Sequence, residues 1–198
     1  NLAPRTSISA STNSPFNQAT GGDIQIKAPD SITIQGEGMI TTETADAGQA
    51  GNIEITSTDL NIQQTELSTS TTGEGNAGNI TLDTSTLTIA RGAKVFAFTD
   101  GSGDSGTIEI NAPTEVNLGI GVNDSSPVLS VQTNDAGKPG SIIINTPTLT
   151  LSDTARITAT ATDTATNTEG GGSITLNAST MNLAGIVGVF AETEGQTP

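Results

Sequence analysis

The residues whose types and spacing could bind a metal lie in one acidic, glycine-rich segment, residues 99–106 (TDGSGDSG). Asp100 and Asp104 supply carboxylate oxygens, the hard ligands that calcium prefers, and the glycines between them let the backbone turn tightly. The segment lacks both a bidentate Glu at its end and the nonapeptide spacing of calcium-binding β-rolls. Asp100 and Asp104 are therefore weak calcium candidates, and the competing interpretation is that they are solubilising charges on a turn.

The chain has few residues that could form a catalytic site. His, Cys, Tyr and Trp are all absent, which removes most general bases and nucleophiles and the usual sugar-stacking rings. The six cations are scattered along the sequence: Arg5, Lys27, Arg91, Lys94, Lys138 and Arg156. We expect no catalytic residue and no cofactor. A polysaccharide-processing enzyme, which would use clustered carboxylates with a Lys or Arg base, is kept as an alternative function.

Two aromatic residues stand out in the segment KVFAFT, residues 94–99. In a strand, Val95 and Ala97 would face the interior, so Phe96 and Phe98 would face outward. Exposed aromatic side chains on one face form an apolar stripe that suits contact with a partner or a carbohydrate. The competing interpretation is that a neighbouring segment covers them.

The composition limits both the fold and the partners. Only 32% of the residues are hydrophobic and 2% aromatic, which is little for a globule with one central core and favours a layered or solenoidal one. Six basic against 21 acidic residues give a net charge of −15, which repels phosphate backbones and anionic lipids. We expect no nucleic-acid partner. No apolar run is long enough to cross a bilayer, so we also expect no membrane insertion.

A repeat organises the whole chain. A Gly followed by a small polar residue and an apolar-x-apolar pair begins at Gly22, Gly51, Gly78, Gly106, Gly140 and Gly172. The spacing is 27 (51 to 78) to 34 (106 to 140) residues, which is typical of stacked repeat architectures. Each copy holds three short segments in which apolar and polar residues alternate, as in strands with one buried face.

The inward positions repeat from copy to copy. The first segment presents Ile or Leu twice in every copy, and the second segment likewise presents two bulky aliphatic residues, beginning with Ile32 and Ile34. The third segment begins with one aliphatic residue and then narrows to Thr or Ala, with Val131 in coil 4. We expect the threonine hydroxyls to bond backbone carbonyls or one another. Residues 8–12 (ISAST) repeat this third unit.

These patterns predict a fold. The sequence indicates an all-β, right-handed parallel β-helix with three strands per coil and about 27–34 residues per coil. We expect residues 1–198 to form a single β-helix segment of a longer protein, with a partial coil over 1–21 and coils starting at 22, 51, 78, 106, 140 and 172. Polar corners separate the segments, and the extra lengths of coils 4 and 5 fall in predicted surface loops at 119–127 and 162–171.

The repeat unit resembles a known class of surface proteins. It is seen in ISAST (8–12), GEGNAGNITL (73–82), LTIARGAKVFAFT (87–99) and TARITATAT (154–162). These segments are similar to the repeats of filamentous-haemagglutinin-like exoproteins of two-partner secretion, which are abundant in cyanobacterial surface proteins. The resemblance covers essentially the whole chain. It implies a non-catalytic structural or adhesive shaft, located outside the cell or on its surface, that contacts cell-surface or matrix components and the flanking coils of its own protein.

A second arrangement stays open. The coil edges at both ends of a β-helix are unpaired unless they are capped, so end-to-end self-association is also expected to be available. In that case the protein would be a self-assembling extracellular fibre or sheath component.

Overall fold

The computed structural model describes residues 6–12, 20–45, 47–120, 128–162 and 170–193. These residues form strands and connections without any helix, so no helix among them could span a membrane. The strands are β1 Ser7–Ser9, β2 Ile24–Lys27, β3 Ser31–Gln35, β4 Met39–Thr44, β5 Ile53–Gln63, β6 Glu66–Thr71, β7 Ile80–Ala90, β8 Lys94–Thr99, β9 Ile108–Asn111, β10 Glu115–Ile120, β11 Val128–Thr133, β12 Ser141–Asp153, β13 Arg156–Ala161, β14 Ser173–Gly185 and β15 Gly188–Thr193.

The strands build two stacked parallel sheets. Sheet A holds the third segments in the order β1-β4-β6-β8-β11-β13-β15. Sheet B holds the first and second segments in six layers, which are β2 with β3, β5, β7, β9 with β10, β12 and β14. Strands of successive coils pair with one another in parallel throughout. This confirms the predicted parallel β-helix.

The inward ladders have the register that the repeat predicts. In sheet B they are Ile24, Ile53, Ile80, Ile108, Ile142 and Ile174, then Ile26, Ile55, Leu82, Ile110, Ile144 and Leu176, then Ile32, Leu60, Leu87, Val116, Leu149 and Met181, and finally Ile34, Ile62, Ile89, Leu118, Leu151 and Leu183. In sheet A, Ile8, Ile40, Leu67, Val95, Leu129, Ile157 and Val189 form the corresponding aliphatic ladder.

Burial follows the position of a coil in the stack. Ile53, Ile80, Ile108 and Ile142 are fully buried because a coil lies on either side of each. In the last coil, the corresponding ladder residues lose that cover, and Leu183 is 58% exposed. The hydrophobic effect therefore stabilises the central coils most, since each buried aliphatic side chain contributes ~1.5–3 kcal/mol.

The predicted corner between the first and second segments is shallower than expected. In β5, β7, β12 and β14 the two segments belong to one long strand, so the separate three-strand pattern is seen only in coils 1 and 4. The pairing skips one residue at the bend, passing from Thr146 with Ala178 to Thr148 with Thr180. Pro147 occupies the skipped position, where its missing N–H leaves no ladder donor unmade.

The repeated glycines are required by the close approach of successive coils. A Cβ on Gly106 would overlap the carbonyl oxygen of Gly78, and a Cβ on Gly78 would overlap that of Gly51. A parallel column three residues earlier behaves in the same way, since a Cβ on Gly103 would overlap Gly75. Any side chain in these columns would push two coils apart.

Buried threonine hydroxyls bond backbone carbonyls at the end of coils 1 and 2, as predicted, whereas the equivalent positions of coils 3 to 6 are Ala97, Val131, Ala159 and Ala191. Thr42 Oγ1 donates to the carbonyl of Gly51 over 2.6 Å, and Thr69 Oγ1 donates to that of Gly78 over 2.7 Å. Each bond joins the end of sheet A to the glycine that begins the next coil. Among the described residues, Thr133 Oγ1 is the buried side-chain polar atom without a hydrogen-bond partner.

Some of the predicted features lie outside the described residues. These are residues 1–5 and 13–19 of the partial coil and the centres of the two predicted loops, residues 121–127 and 163–169.

Candidate functional site

The outer face of sheet A carries the predicted aromatic pair. Val95 and Ala97 are fully buried, whereas Phe96 and Phe98 alternate with them and are half-buried on the outside. The pairing aligns Phe96 with Ser68 and Ser130, and Phe98 with Ser70 and Gln132. Each ring therefore stands between small or polar side chains of the adjacent layers.

Two cavities meet at Phe98. One has a volume of about 390 Å³ and is lined by Phe98 and Asp100 together with Ser11, Thr12, Glu43, Thr44, Ala45, Ser70 and Thr72. The other has a volume of about 210 Å³ and is lined by Phe96, Phe98, Asp100, Ser130, Gln132 and Asn134. Phe98 and Asp100 line both cavities, so the two lie side by side across the strands of sheet A, and together they are called the groove below.

A hydrogen-bond network fixes the polar end of this groove. The side-chain amide of Asn134 donates to Asp100, one coil away. Gln132 Nε2 donates to Asn134 Oδ1 over 2.6 Å, and Thr162 Oγ1 donates to the same oxygen over 3.1 Å. These contacts hold the polar side chains in set orientations beside the rings: the bond from Gln132 lies within one layer, and the bonds to Asp100 and from Thr162 join neighbouring layers.

The two calcium candidates act in the structure as links between coils. Asp104 Oδ1 accepts the backbone N–H of Lys138 over 2.9 Å, and Asn76 Oδ1 accepts the backbone N–H of Asp104 over 2.8 Å. Asp100 accepts from Asn134. Within the described parts of the chain, no three His, Cys, Asp or Glu side chains are grouped to hold a metal ion. The structure thus gives Asp100 and Asp104 other partners, and calcium binding stays a prediction.

The cations of sheet A pair with aromatic rings. Lys94 Nζ lies 5.8 Å from the centre of the Phe96 ring, and the Arg156 guanidinium lies 5.5 Å from the centre of the Phe190 ring. These distances are within the range of cation–π attraction. Lys94 precedes Phe96 by two residues on the same face of β8, so the pair is predictable from the alternation of a strand. Arg156 and Phe190 lie on strands of two successive coils, so predicting their contact requires the register between those strands.

On sheet B, one exposed ion pair changes the titration of a carboxylate. Lys27 Nζ lies 2.9 Å from Glu54 Oε1, and Gln25 Nε2 donates to Glu54 Oε2 over 2.8 Å. The Lys27 ammonium, followed by the Gln25 amide, lowers the pKa of Glu54 below its ordinary value. The pair joins coils 1 and 2 on the surface.

A third cavity, of about 630 Å³, lies at the bend of sheet B and is lined by residues of coils 4, 5 and 6, among them Asn111, Pro113, Asn145, Pro147 and Asn177. Its asparagines form a ladder in which Asn145 Nδ2 donates to Asn111 Oδ1 over 2.8 Å and Asn177 Nδ2 donates to Asn145 Oδ1 over 2.7 Å. The amides thus bond along the stack and join successive coils, so this cavity belongs to the scaffold. This ladder was not predicted, although the recurrence of Asn at three equivalent repeat positions, Asn111, Asn145 and Asn177, indicates it.

Comparison with known proteins adds no further assignment. No protein-family model, no curated protein and no solved structure matches this chain.

Proposed function

We propose that the chain is a structural and adhesive shaft segment of a secreted cell-surface exoprotein similar to the filamentous-haemagglutinin-like class. The observation that carries the proposal is the uninterrupted repetition of the inward ladders through six coils. Equivalent positions hold equivalent side chains from Ile24 to Ile174, so successive coils are built as interchangeable layers. A structure made of equivalent layers suits the task of spanning a distance.

The last described coil presents an apolar surface. It exposes Met181, Leu183, Ile186 and Val189, the last of these being a member of the sheet A ladder. Among the described strands, β14 and β15 each pair with a single neighbour, which leaves the backbone groups on their other side without a strand partner. A coil of the same repeat would cover the apolar residues and pair the backbone, as each coil does for the one before it.

The proposal is tested by removing two whole coils from the full-length protein. Deleting residues 51–105 joins Ala50 to Gly106 and keeps Ile24 in register with Ile108. We expect a folded, exported protein whose rod is shorter by roughly 10 Å, since each layer rises ~4.8 Å. Electron microscopy of the purified protein measures the length, and circular dichroism measures the β content.

The matched control deletes only part of a coil. Removal of residues 51–64 leaves an incomplete layer and is expected to disrupt folding, because the strands that follow lose their register. If the whole-coil deletion is as disruptive as the partial one, or if the full-length protein hydrolyses or cleaves a polysaccharide through this segment, the shaft proposal is wrong.

A further inference from the structure

We propose that the groove on the outer face of sheet A, formed by the two cavities that meet at Phe98, binds a neutral polysaccharide chain. The proposal names a ligand class for the adhesive part of the proposed function and rests on that part alone. The groove is the place in the described structure where aromatic rings and an ordered set of polar side chains share one concave surface.

The aromatic rings supply the platform. Phe96 and Phe98 follow each other on one face of β8, and both remain partly accessible. The faces of aromatic rings carry partial negative charge, and the C–H groups on the face of a pyranose ring carry partial positive charge, so the two stack favourably. Because Phe98 lines both cavities, a chain that crosses it would place a sugar on either side.

The polar side chains supply the complementary hydrogen bonds. Sugar hydroxyls both donate and accept, and they are matched by hydroxyl, amide and carboxylate groups. Ser70 and Glu43 line the larger cavity, while Ser130 and Gln132 line the smaller one. Asn134 accepts a hydrogen bond from Gln132, and Thr158 Oγ1 donates one to Ser130 Oγ, so this second group is ordered before any ligand arrives, which lowers the entropy cost of binding.

The charges select a neutral glycan. Glu43 and Asp100 line the groove, and the whole chain carries a net charge of −15. A uronate or sulfate group would be repelled by these carboxylates at close range and by the overall field. Lys94 lies at the opposite end of β8 and is directed to the Phe96 ring, so it does not line either cavity.

The same geometry disfavours a peptide ligand. An extended peptide binds a sheet most readily by adding a strand at a free edge. Here the groove crosses β4, β6, β8 and β11, which are interior strands of sheet A, and one end of it is formed by Ser11 and Thr12 beyond β1. The backbone groups of the four interior strands are already paired, so along them the groove offers side chains, and these suit hydroxyl-rich ligands.

The experiment is affinity electrophoresis of the 198-residue chain through native gels that contain a dissolved polysaccharide. The probes are hydroxyethyl cellulose, galactomannan and xyloglucan as neutral chains, with alginate as the anionic chain. We expect at least one neutral probe to retard the protein and alginate not to do so. Replacement of Phe98 (F98A) is expected to weaken that binding by about tenfold, the size of effect that loss of one well-placed ring produces.

The matched control is Phe190→Ala, which removes a ring from the same sheet at a position outside both cavities and should leave the retardation unchanged. Glu43→Ala provides a second test at an exposed side chain whose loss does not endanger folding, and it should weaken binding several-fold. Circular dichroism verifies that each variant is folded.

Three results overturn the inference: no retardation by any of the neutral probes, retardation by alginate in preference to them, or equal losses in F98A and F190A. None of these would affect the shaft proposal, because deletion of residues 51–105 tests that proposal after removing Phe96 and Phe98 altogether.

Discussion

Single residues in this molecule matter most where the backbones of two coils touch. Gly106 lies on Gly78, and Gly78 lies on Gly51, with no room for a Cβ between them. Gly22 belongs to the same column but begins it, and a Cβ there would meet only the Ala10 side chain at 3.4 Å. The loss of stability caused by an added methyl group therefore depends on which layer the glycine occupies.

This difference predicts the outcome of one matched pair of substitutions. Gly106→Ala should lower the free energy of unfolding by about 3 kcal/mol, because the overlap is with backbone that cannot move without separating two coils. Gly22→Ala should change it little. Chemical denaturation followed by circular dichroism measures both, and equal losses would show that the contact between coils is not the cause.

The buried hydroxyls of sheet A provide a second matched pair. Thr69 donates to the carbonyl of Gly78, whereas Thr133 has a buried hydroxyl with no partner. Thr69→Val should cost about 1 kcal/mol through the lost hydrogen bond, and Thr133→Val should leave stability unchanged or raise it, because a desolvated and unpaired hydroxyl is removed. The comparison of the two midpoints of unfolding is the measurement. A larger loss in the Thr133 variant would contradict this interpretation.

At the scale of the strand, position in the stack decides what a ladder residue contributes. Ile110 on β9 is fully buried between coils 3 and 5, while Leu183 on β14 is 58% exposed in the last coil. Both side chains are directed from sheet B toward the interior of the β-helix. Leu151, which precedes Leu183 in the same ladder, is fully buried, so the exposure of Leu183 comes from the lack of a described layer beyond β14.

Truncating these two residues should therefore give very different results. Ile110→Ala is expected to lower the free energy of unfolding by about 3 kcal/mol, since it opens a cavity in a fully packed layer. Leu183→Ala should have little effect in the 198-residue chain. Denaturant titration of both variants tests the expectation. It fails if Leu183→Ala is as costly as Ile110→Ala, because the last coil would then be covered in solution.

A strand can be predicted from the sequence where its pattern lies within one segment, and less well where it depends on contacts between coils. The ladders from Ile24 to Ile174 could be predicted because alternation within a segment and recurrence between copies specify the same residues. The shallowness of the bend between the first and second segments could not be predicted. The ladder skips Thr58 as it skips Pro147, yet the Thr58 backbone N–H still donates to the Asp30 carbonyl, and nothing in the residue types at the bend indicates that the strand continues across it. The partners of Asp100 and Asp104 also escaped prediction. Asn134 and Lys138, which donate to the two carboxylates, lie 34 residues away, across an insertion whose effect on the register the sequence does not reveal.

Viewed as a whole, the molecule is a stack whose layers are nearly equivalent and whose two outer surfaces differ. The interior contains aliphatic ladders and a column of threonine, which together explain how a chain with 2% aromatic residues forms a stable core. The outer face of sheet A adds a groove at Phe98 to this scaffold. The proposed shaft, with the proposed glycan-binding groove along its side, accounts for both features.

The measurement that tests the proposed shaft most directly is immunogold electron microscopy of intact, unpermeabilised cells that produce the protein, with antibodies raised against the 198-residue chain. The account predicts gold particles on the outside of the cells, displaced from the envelope and removed by brief protease treatment. Labelling that appears only after the cells are permeabilised, and that survives protease treatment of intact cells, would contradict it.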